Sequence, residues 1–211
     1  MMFRFLKLFS LLTGLLLTHF AVAESSKSVI LFFGDSLSAA YGIPKQQGWV
    51  NLVAQRIKDS QLPYEVANAS VSGETTAGGL NRLPAALQQF KPSIVVIELG
   101  ANDGLRGLPL EAMQRNLEKM ITACKQVNAQ VVLLGMLIPP NYGPQYTNGF
   151  KQVYQDVSQA YKTPFVPFFL NGISGHSDLL IEDGLHPNVN AQPKILENVW
   201  PTLKPLLRHT H

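Results

Sequence analysis

Short apolar runs that alternate with stretches of helical periodicity constrain this chain more than any other feature. Five runs rich in Val, Ile, Leu and Phe have the length of buried strands, at residues 28–33, 65–69, 93–99, 130–136 and 164–166. Apolar residues three or four positions apart indicate helices at 49–60, 75–87, 110–127, 148–161 and 190–207. Strands that alternate with helices form a parallel sheet, because each helix carries the chain back across it. The sequence therefore predicts an α/β fold of three layers, with helices on both faces of a five-stranded parallel sheet.

The composition is that of one compact domain. Hydrophobic residues make up 46% of the 211 residues and charged residues 15%, which excludes a disordered chain. No internal repeat, low-complexity segment or Pro/Gly-rich linker divides the sequence. We therefore predict a single domain over residues 24–211.

The first 23 residues have the parts of a secretory signal peptide. Arg4 and Lys7 precede an uncharged apolar run, and Ala21-Val22-Ala23 forms an A-x-A cleavage site. The alternative is a membrane anchor, but residues 8–23 are shorter than the ~20 residues that span a bilayer. We predict cleavage after Ala23 and a periplasmic or secreted protein without a stable membrane anchor.

The basic charge of the chain belongs to this leader. The whole sequence has 17 Lys and Arg against 14 Asp and Glu, and no acid precedes Glu24. Removal of Arg4 and Lys7 leaves 15 basic against 14 acidic residues, a net charge of +1. No run of basic residues interleaved with aromatics remains, so we exclude nucleic acid as a partner.

Cys124 is the one cysteine of the sequence, so no internal disulfide can form. It continues the apolar period of the helix predicted at 110–127. This position favours a buried, unreactive thiol over a nucleophile.

Polar motifs follow the predicted strands. They read Gly-Asp-Ser-Leu-Ser at 34–38, Asn-Ala-Ser-Val-Ser-Gly-Glu at 68–74, Gly-Ala-Asn-Asp-Gly at 100–104 and, near the carboxyl terminus, Asp-Gly-Leu-His-Pro at 183–187. Each motif alone could be a turn or a helix cap. In a parallel sheet, however, the loops after the strands meet around one crevice. We therefore expect these motifs to converge.

Together the motifs contain the groups that acyl transfer requires. Ser36 offers a hydroxyl at a strand end, which needs a base before it can attack a carbonyl. His186 can be that base, and Asp183, three residues earlier, can fix its tautomer within one turn. The backbone N–H groups of Ser36 and Gly73 and the side-chain amide of Asn102 are candidate donors to a tetrahedral oxyanion.

In these residues the chain resembles the SGNH hydrolase family, also called GDSL, whose four blocks supply Ser, Gly, Asn and His. The blocks are here represented by Ser36, Gly73, Asn102 and His186, in order across nearly the whole predicted domain. Ala101 stands where some members carry a second glycine. Residues 104–109, 140–143 and 183–188 further resemble exported bacterial members that act on aryl esters, lysophospholipids and acyl thioesters. The resemblance implies a flavodoxin-like sheet, no metal or other cofactor, and a serine esterase.

Other readings of the motifs are weaker. The G-x-S-x-G motif of α/β-hydrolases is absent, and a flavodoxin or receiver domain would not explain Asp183 and His186. A metal site lacks ligands, since His176 lies in a loop where a surface role is favoured. Two alternatives stay open: a carbohydrate O-deacetylase of the same family, and a non-catalytic periplasmic binding module.

Two apolar loops follow the third and fourth strands. They contain the residues that we predict to bind an acyl chain, namely Leu105, Leu108, Ile138 and Tyr142. The alternative is that these residues pack one loop on the other. The expected partner is a small acyl ester or lysolipid, and the expected state is a monomer.

Overall fold

A five-stranded parallel sheet forms the centre of the computed structural model, which describes residues 27–207. The strands are β1 Ser28–Gly34, β2 Tyr64–Asn68, β3 Ile94–Glu98, β4 Gln130–Leu134 and β5 Phe165–Val166. Their order across the sheet is β2-β1-β3-β4-β5, with every pair parallel. This is the flavodoxin-like order, so the predicted fold is confirmed. The predicted signal peptide, residues 1–23, lies outside the described residues.

Six α-helices connect and flank the strands within this part of the chain. They are α1 Trp49–Asp59, α2 Thr76–Phe90, α3 Ala101–Leu105, α4 Leu110–Gln126, α5 Pro144–Tyr161 and α6 Gln192–Leu203. The prediction of five helices was wrong for α3, which is too short to show an apolar period. The prediction for α5 began four residues too late, because proline fits the first turn of a helix. No helix within residues 27–207 has both the length and the apolar character to span a membrane.

Short 3₁₀ helices complete the connections at Lys45–Gln47, Pro140–Tyr142, Ser177–Leu179, Val189–Ala191 and Lys204–Leu206. The last two flank α6, so the helix predicted at 190–207 is one α-helix between two 3₁₀ turns.

The core consists of two apolar layers, one on each face of the sheet. In β1, Ile30 and Phe32 face α1 and α6, whereas Leu31 and Phe33 face α2, α4 and α5. Cys124 lies fully buried in the second layer, as predicted, and burial raises the pKa of its thiol to about 12. Both faces of the sheet are thus covered by helices, which leaves the loops at its carboxyl edge as the place for a site.

The strand order changes direction at β1. The chain moves from β1 to β2 on one side, and then crosses to β3 on the other. The loops after β1 and β3 therefore diverge at a topological switch point, where α/β sheets bind ligands. Ser36 follows β1 and Asn102 follows β3 at this point.

Candidate active site

Ser36 lies in a tight turn directly after β1. The Oδ1 atom of Asp35 accepts the backbone N–H of Leu37 at 3.0 Å, which closes an Asx turn around the serine. The indole Nε1 of Trp49 donates to the Leu37 carbonyl at 3.1 Å and fixes the turn to α1. Ser36 is therefore held by groups on both sides of it.

Asp183 and His186 lie in a second turn, between β5 and α6. The Asp183 Oδ1 atom accepts the backbone N–H groups of Leu185 and His186 at 2.9 and 3.0 Å. Gly184 has a φ of +68°, a left-handed conformation that glycine adopts without strain. The turn brings Asp183 Oδ2 to 2.6 Å from His186 Nδ1.

The two turns meet at His186. Its Nε2 atom lies 2.8 Å from the Ser36 Oγ atom, although the two residues are 150 positions apart in sequence. The structure therefore brings together the three side chains that the sequence predicts as nucleophile, base and orienting acid. The site is open to solvent, since the side chains of His186 and Asp183 are 21% and 35% exposed.

The Asp183 carboxylate is stabilised in its ionised form. Partial burial would raise its pKa, but the N–H groups of His186 and Leu185 and the His186 ring hold the pKa below its ordinary value. Asp183 therefore remains an acceptor for the His186 ring at neutral and mildly acidic pH.

Tyr41 covers the other side of the imidazole. Its ring centroid lies 4.6 Å from that of His186, at an interplanar angle of 43°. Sequence analysis did not predict this contact.

Two of the three predicted oxyanion donors make no hydrogen bond within residues 27–207. Within residues 27–207, the backbone N–H groups of Ser36 and Gly73 have no hydrogen-bond acceptor in the protein. Gly73 has a φ of +77°, and its carbonyl accepts a hydrogen bond from Arg106 Nη2 at 2.9 Å. Arg106, at the end of α3, thus holds the loop that contains Gly73.

The third predicted donor, Asn102, lies on α3 and contacts both the Ser36 turn and the loop that contains Gly73. Its Nδ2 atom donates to Asp35 Oδ2 and to the Glu74 carbonyl, each at 3.0 Å. These acceptors adjoin Ser36 and Gly73 in sequence, so the amide lies beside both backbone donors. Both of its hydrogens have acceptors, and a substrate oxygen would have to share or displace one of them.

Gln192, which sequence analysis missed, links the two turns through the core. Its Oε1 atom accepts the backbone N–H of Trp49 at 3.0 Å, and its Nε2 atom donates to the carbonyls of Pro187 and Asn188 at 3.1 Å. Trp49 contacts the Ser36 turn, and Pro187 follows His186. This buried amide therefore fixes the distance between nucleophile and base.

The two apolar loops contact each other. The hydroxyl of Tyr142 donates to the Leu105 carbonyl at 2.7 Å, and that of Tyr146 donates to the Leu108 carbonyl at 2.6 Å. Ile138 packs against Gly104, where a Cβ atom would lie 2.7 Å from its Cγ2. Leu105, by contrast, has an exposed side chain. These three contacts pack one loop on the other, as the alternative states. The Leu105 side chain remains exposed and can contact a ligand.

Comparisons with known proteins find similar chains among esterases and acylhydrolases. A model of the GDSL-like Lipase/Acylhydrolase family matches residues 32–192. Esterase TesA of Pseudomonas aeruginosa is 50% identical over 197 residues, which cover 93% of this chain and 98% of that protein. The Escherichia coli (strain K12) protein named thioesterase 1/protease 1/lysophospholipase L1 is 37% identical over 194 residues, with coverages of 92% and 90%. The crystal structure of the psychrotrophic esterase EstA from Pseudoalteromonas sp., inhibited by monoethylphosphonate, is similar at a TM-score of 0.82 and 43% identity, over 85% of this chain and 98% of that one.

Proposed function

Because the chain belongs to the GDSL-like lipase/acylhydrolase family, we propose that it is a serine esterase whose catalytic residues are Ser36, His186 and Asp183. One observation carries the assignment of these residues: a continuous chain of contacts runs from Ser36 Oγ through the His186 ring to Asp183, at 2.8 and 2.6 Å. This is the arrangement in which a serine hydroxyl becomes a nucleophile.

The reaction proceeds in two halves. Ser36 Oγ attacks the acyl carbon while its proton moves to His186 Nε2, and the protonated ring is stabilised by Asp183 through Nδ1–H. The negative oxygen of the tetrahedral intermediate receives hydrogen bonds from the N–H groups of Ser36 and Gly73 and from the Asn102 amide. His186 then gives its proton to the leaving alcohol or thiol, and an acyl-serine remains. Water, deprotonated by His186, attacks this ester and releases the carboxylic acid and Ser36.

An apolar rim around the site favours acyl chains as the substrate. Seven large hydrophobic residues are exposed in the described part of the chain. Six of them lie in the segments that follow the carboxyl ends of the strands, namely Tyr41, Val71, Leu105, Leu137, Leu185 and Val189. Apolar groups that remain exposed around a polar site are typical of a binding surface for apolar ligands.

Aryl esters, lysophospholipids and acyl thioesters fit this rim and the open triad. Each joins an apolar acyl chain to a different leaving group, which a solvent-exposed site accommodates. The name of the Escherichia coli relative supports the last two classes. We assign the acyl-binding role to Leu105, and to Leu108, Ile138 and Tyr142 the placement of the loop that carries it.

The substrate class is tested by a series of p-nitrophenyl esters with acyl chains of increasing length, below micelle formation. Each added methylene buried against the rim should gain about 0.8 kcal/mol, so kcat/KM should rise about fourfold per carbon until the rim is filled. Leu105→Ala should reduce this slope. Val127→Ala is the matched control, because Val127 is also exposed but lies at the opposite edge of the sheet.

The opposite pattern would exclude acyl chains. If acetate is the best acyl group, and kcat/KM is higher for an acetylated oligosaccharide than for every long-chain ester, the protein is a carbohydrate deacetylase. If wild-type protein hydrolyses none of these esters, the binding-module alternative holds.

We further propose that the enzyme is exported and acts in the periplasm or outside the cell. The support is the leader sequence, with Arg4 and Lys7 before an apolar run and an A-x-A site at 21–23. The intact mass of the exported protein should correspond to a chain that begins at Glu24. A membrane-bound protein that keeps all 23 residues would contradict this.

A further inference from the structure

Two carboxyl groups lie buried directly beneath the Ser36 turn. The side chains belong to Asp35, which is 1% exposed, and Glu98, which is 3% exposed. Glu98 is the last residue of β3, and the register of the sheet places it opposite Gly34 on β1. A Cβ atom at Gly34 would lie 2.6 Å from Glu98 Oε2, so only glycine leaves room for this carboxyl.

The hydrogen bonds distinguish the two acids. Both oxygens of Asp35 accept N–H groups, Oδ1 from Leu37 and Oδ2 from Asn102, each at 3.0 Å. Asp35 therefore acts as an acceptor on both sides, as a carboxylate does. Glu98 Oε2 accepts the Ser38 hydroxyl at 2.7 Å and the Asp35 backbone N–H at 3.2 Å, so the Glu98 carboxyl is bonded directly to the Ser36 turn.

No Lys or Arg among residues 27–207 forms an ion pair with Asp35 or Glu98. The ion pairs within residues 27–207 join Arg56 to Glu197, Arg82 to Glu74 and His186 to Asp183. Two adjacent carboxylates without a cation cannot both be ionised in a buried site, so one of them retains a proton.

The direction of both pKa shifts agrees with this. Burial raises the pKa of Asp35 to about 6, although hydrogen bonds and the nearby His186 oppose the shift. Burial and the charge of Asp35 raise the pKa of Glu98 well above its ordinary value. The other titratable groups that interact with the pair are His186 from the loop before α6 and Tyr154 from α5, and Asp103 on α3 acts on Tyr154 as well.

We propose that Glu98 is a neutral carboxylic acid beside an ionised Asp35, and that this pair positions the Asn102 amide beside Ser36. The inference rests on the proposed function, in which Asn102 stabilises the oxyanion. Glu98 touches no substrate and is a positioning residue. Its neutral form matters, because a second negative charge would repel Asp35 from the hydrogen bonds that orient Asn102.

Two amide variants, Glu98→Gln and Asp35→Asn, test whether Glu98 is neutral and Asp35 is ionised. Glu98→Gln replaces a neutral acid by a neutral amide whose oxygen can still accept from Ser38 and from the Asp35 backbone N–H, so kcat should stay within about threefold of wild type. Asp35→Asn places amide hydrogens against the N–H donors of Leu37 or Asn102. It should lower kcat by about 10²-fold with little change in KM, as loss of one oxyanion donor does. Equal losses in the two variants would overturn the proposal, as would an Asp35→Asn variant with normal kcat.

Thermal stability gives a readout that does not depend on catalysis. A carboxyl whose pKa is raised on folding stabilises the fold when protonated, and this contribution is lost as the pH rises. The Tm of Glu98→Gln relative to wild type should therefore increase steadily between about pH 5 and 9. A constant difference would show that Glu98 is ionised and would refute its neutral form.

Infrared spectroscopy detects the proton directly. Wild-type protein at neutral pH should show the carbonyl stretch of a protonated carboxylic acid, and Glu98→Gln should lack it; a spectrum without this band in the wild type would refute the proposal. Ser36→Ala, assayed in the same series, distinguishes failure of the proposed esterase function from failure of the proposal about Glu98. If it retains turnover, the proposed function fails, whereas the infrared and Tm measurements still decide the state of Glu98.

Discussion

Replacement of Ser36 by alanine is expected to reduce kcat for ester hydrolysis by about 10⁴-fold or more, because no other group forms the acyl intermediate. The Tm should change by less than about 2 °C, since the Ser36 hydroxyl bonds only to His186 in the described structure and lies outside the apolar layers. Activity on a soluble p-nitrophenyl ester and a thermal melt measure the two quantities.

Covalent labelling identifies the nucleophile independently. A fluorophosphonate should add one phosphonyl group to wild-type protein, and peptide mapping should find it on Ser36. The EstA structure inhibited by monoethylphosphonate supports this choice of reagent. Ser60→Ala, a substitution of an exposed serine at the opposite edge of the sheet, should retain both activity and labelling. Label on another serine, or turnover by Ser36→Ala, would remove Ser36 from its role.

Asp183→Asn is expected to lower kcat by about 10⁴-fold while the protein stays folded. The asparagine oxygen can still accept the N–H groups of Leu185 and His186, which places its NH₂ group against His186 Nδ1. The imidazole must then carry its proton on Nε2, and it can no longer accept the proton of Ser36. A rate measurement across pH should show the loss at every pH at which wild type is active.

The matched control is Glu182→Gln, which removes one negative charge at the neighbouring exposed residue. If the loss in Asp183→Asn came from net charge alone, the two variants would be slowed to the same extent. We expect Glu182→Gln to remain within about twofold of wild type, because an exposed charge is screened by water and salt.

Sequence alone predicted the sheet and its helical layers, and it singled out three side chains that the structure brings into contact, Ser36, Asp183 and His186. The strands are buried on both faces and so appear as continuous apolar runs, which makes their existence and parallel pairing predictable. Ser36 and His186 are 150 residues apart, and their contact follows from the placement of their loops at one edge of the sheet.

Other features depend on three-dimensional register. Sequence analysis placed Glu98 within the strand predicted at 93–99 and gave it no role, because its position beside Asp35 follows from the alignment of β3 on β1. A single acid at the end of an otherwise apolar strand was the available signal. Tyr142 was predicted to bind substrate, but its hydroxyl is bonded to the Leu105 carbonyl, a contact that no local pattern encodes.

The link through Gln192 has a consequence for how the enzyme is made. Trp49 and Gln192 are 143 residues apart, so the two turns of the site join only after α6 docks on α1. A nascent chain that still lacks its last helix already contains Ser36 and His186, but it lacks the amide that joins their two turns. We therefore expect such a chain to be inactive, and hydrolysis to begin only when the chain is complete and α6 has docked on α1.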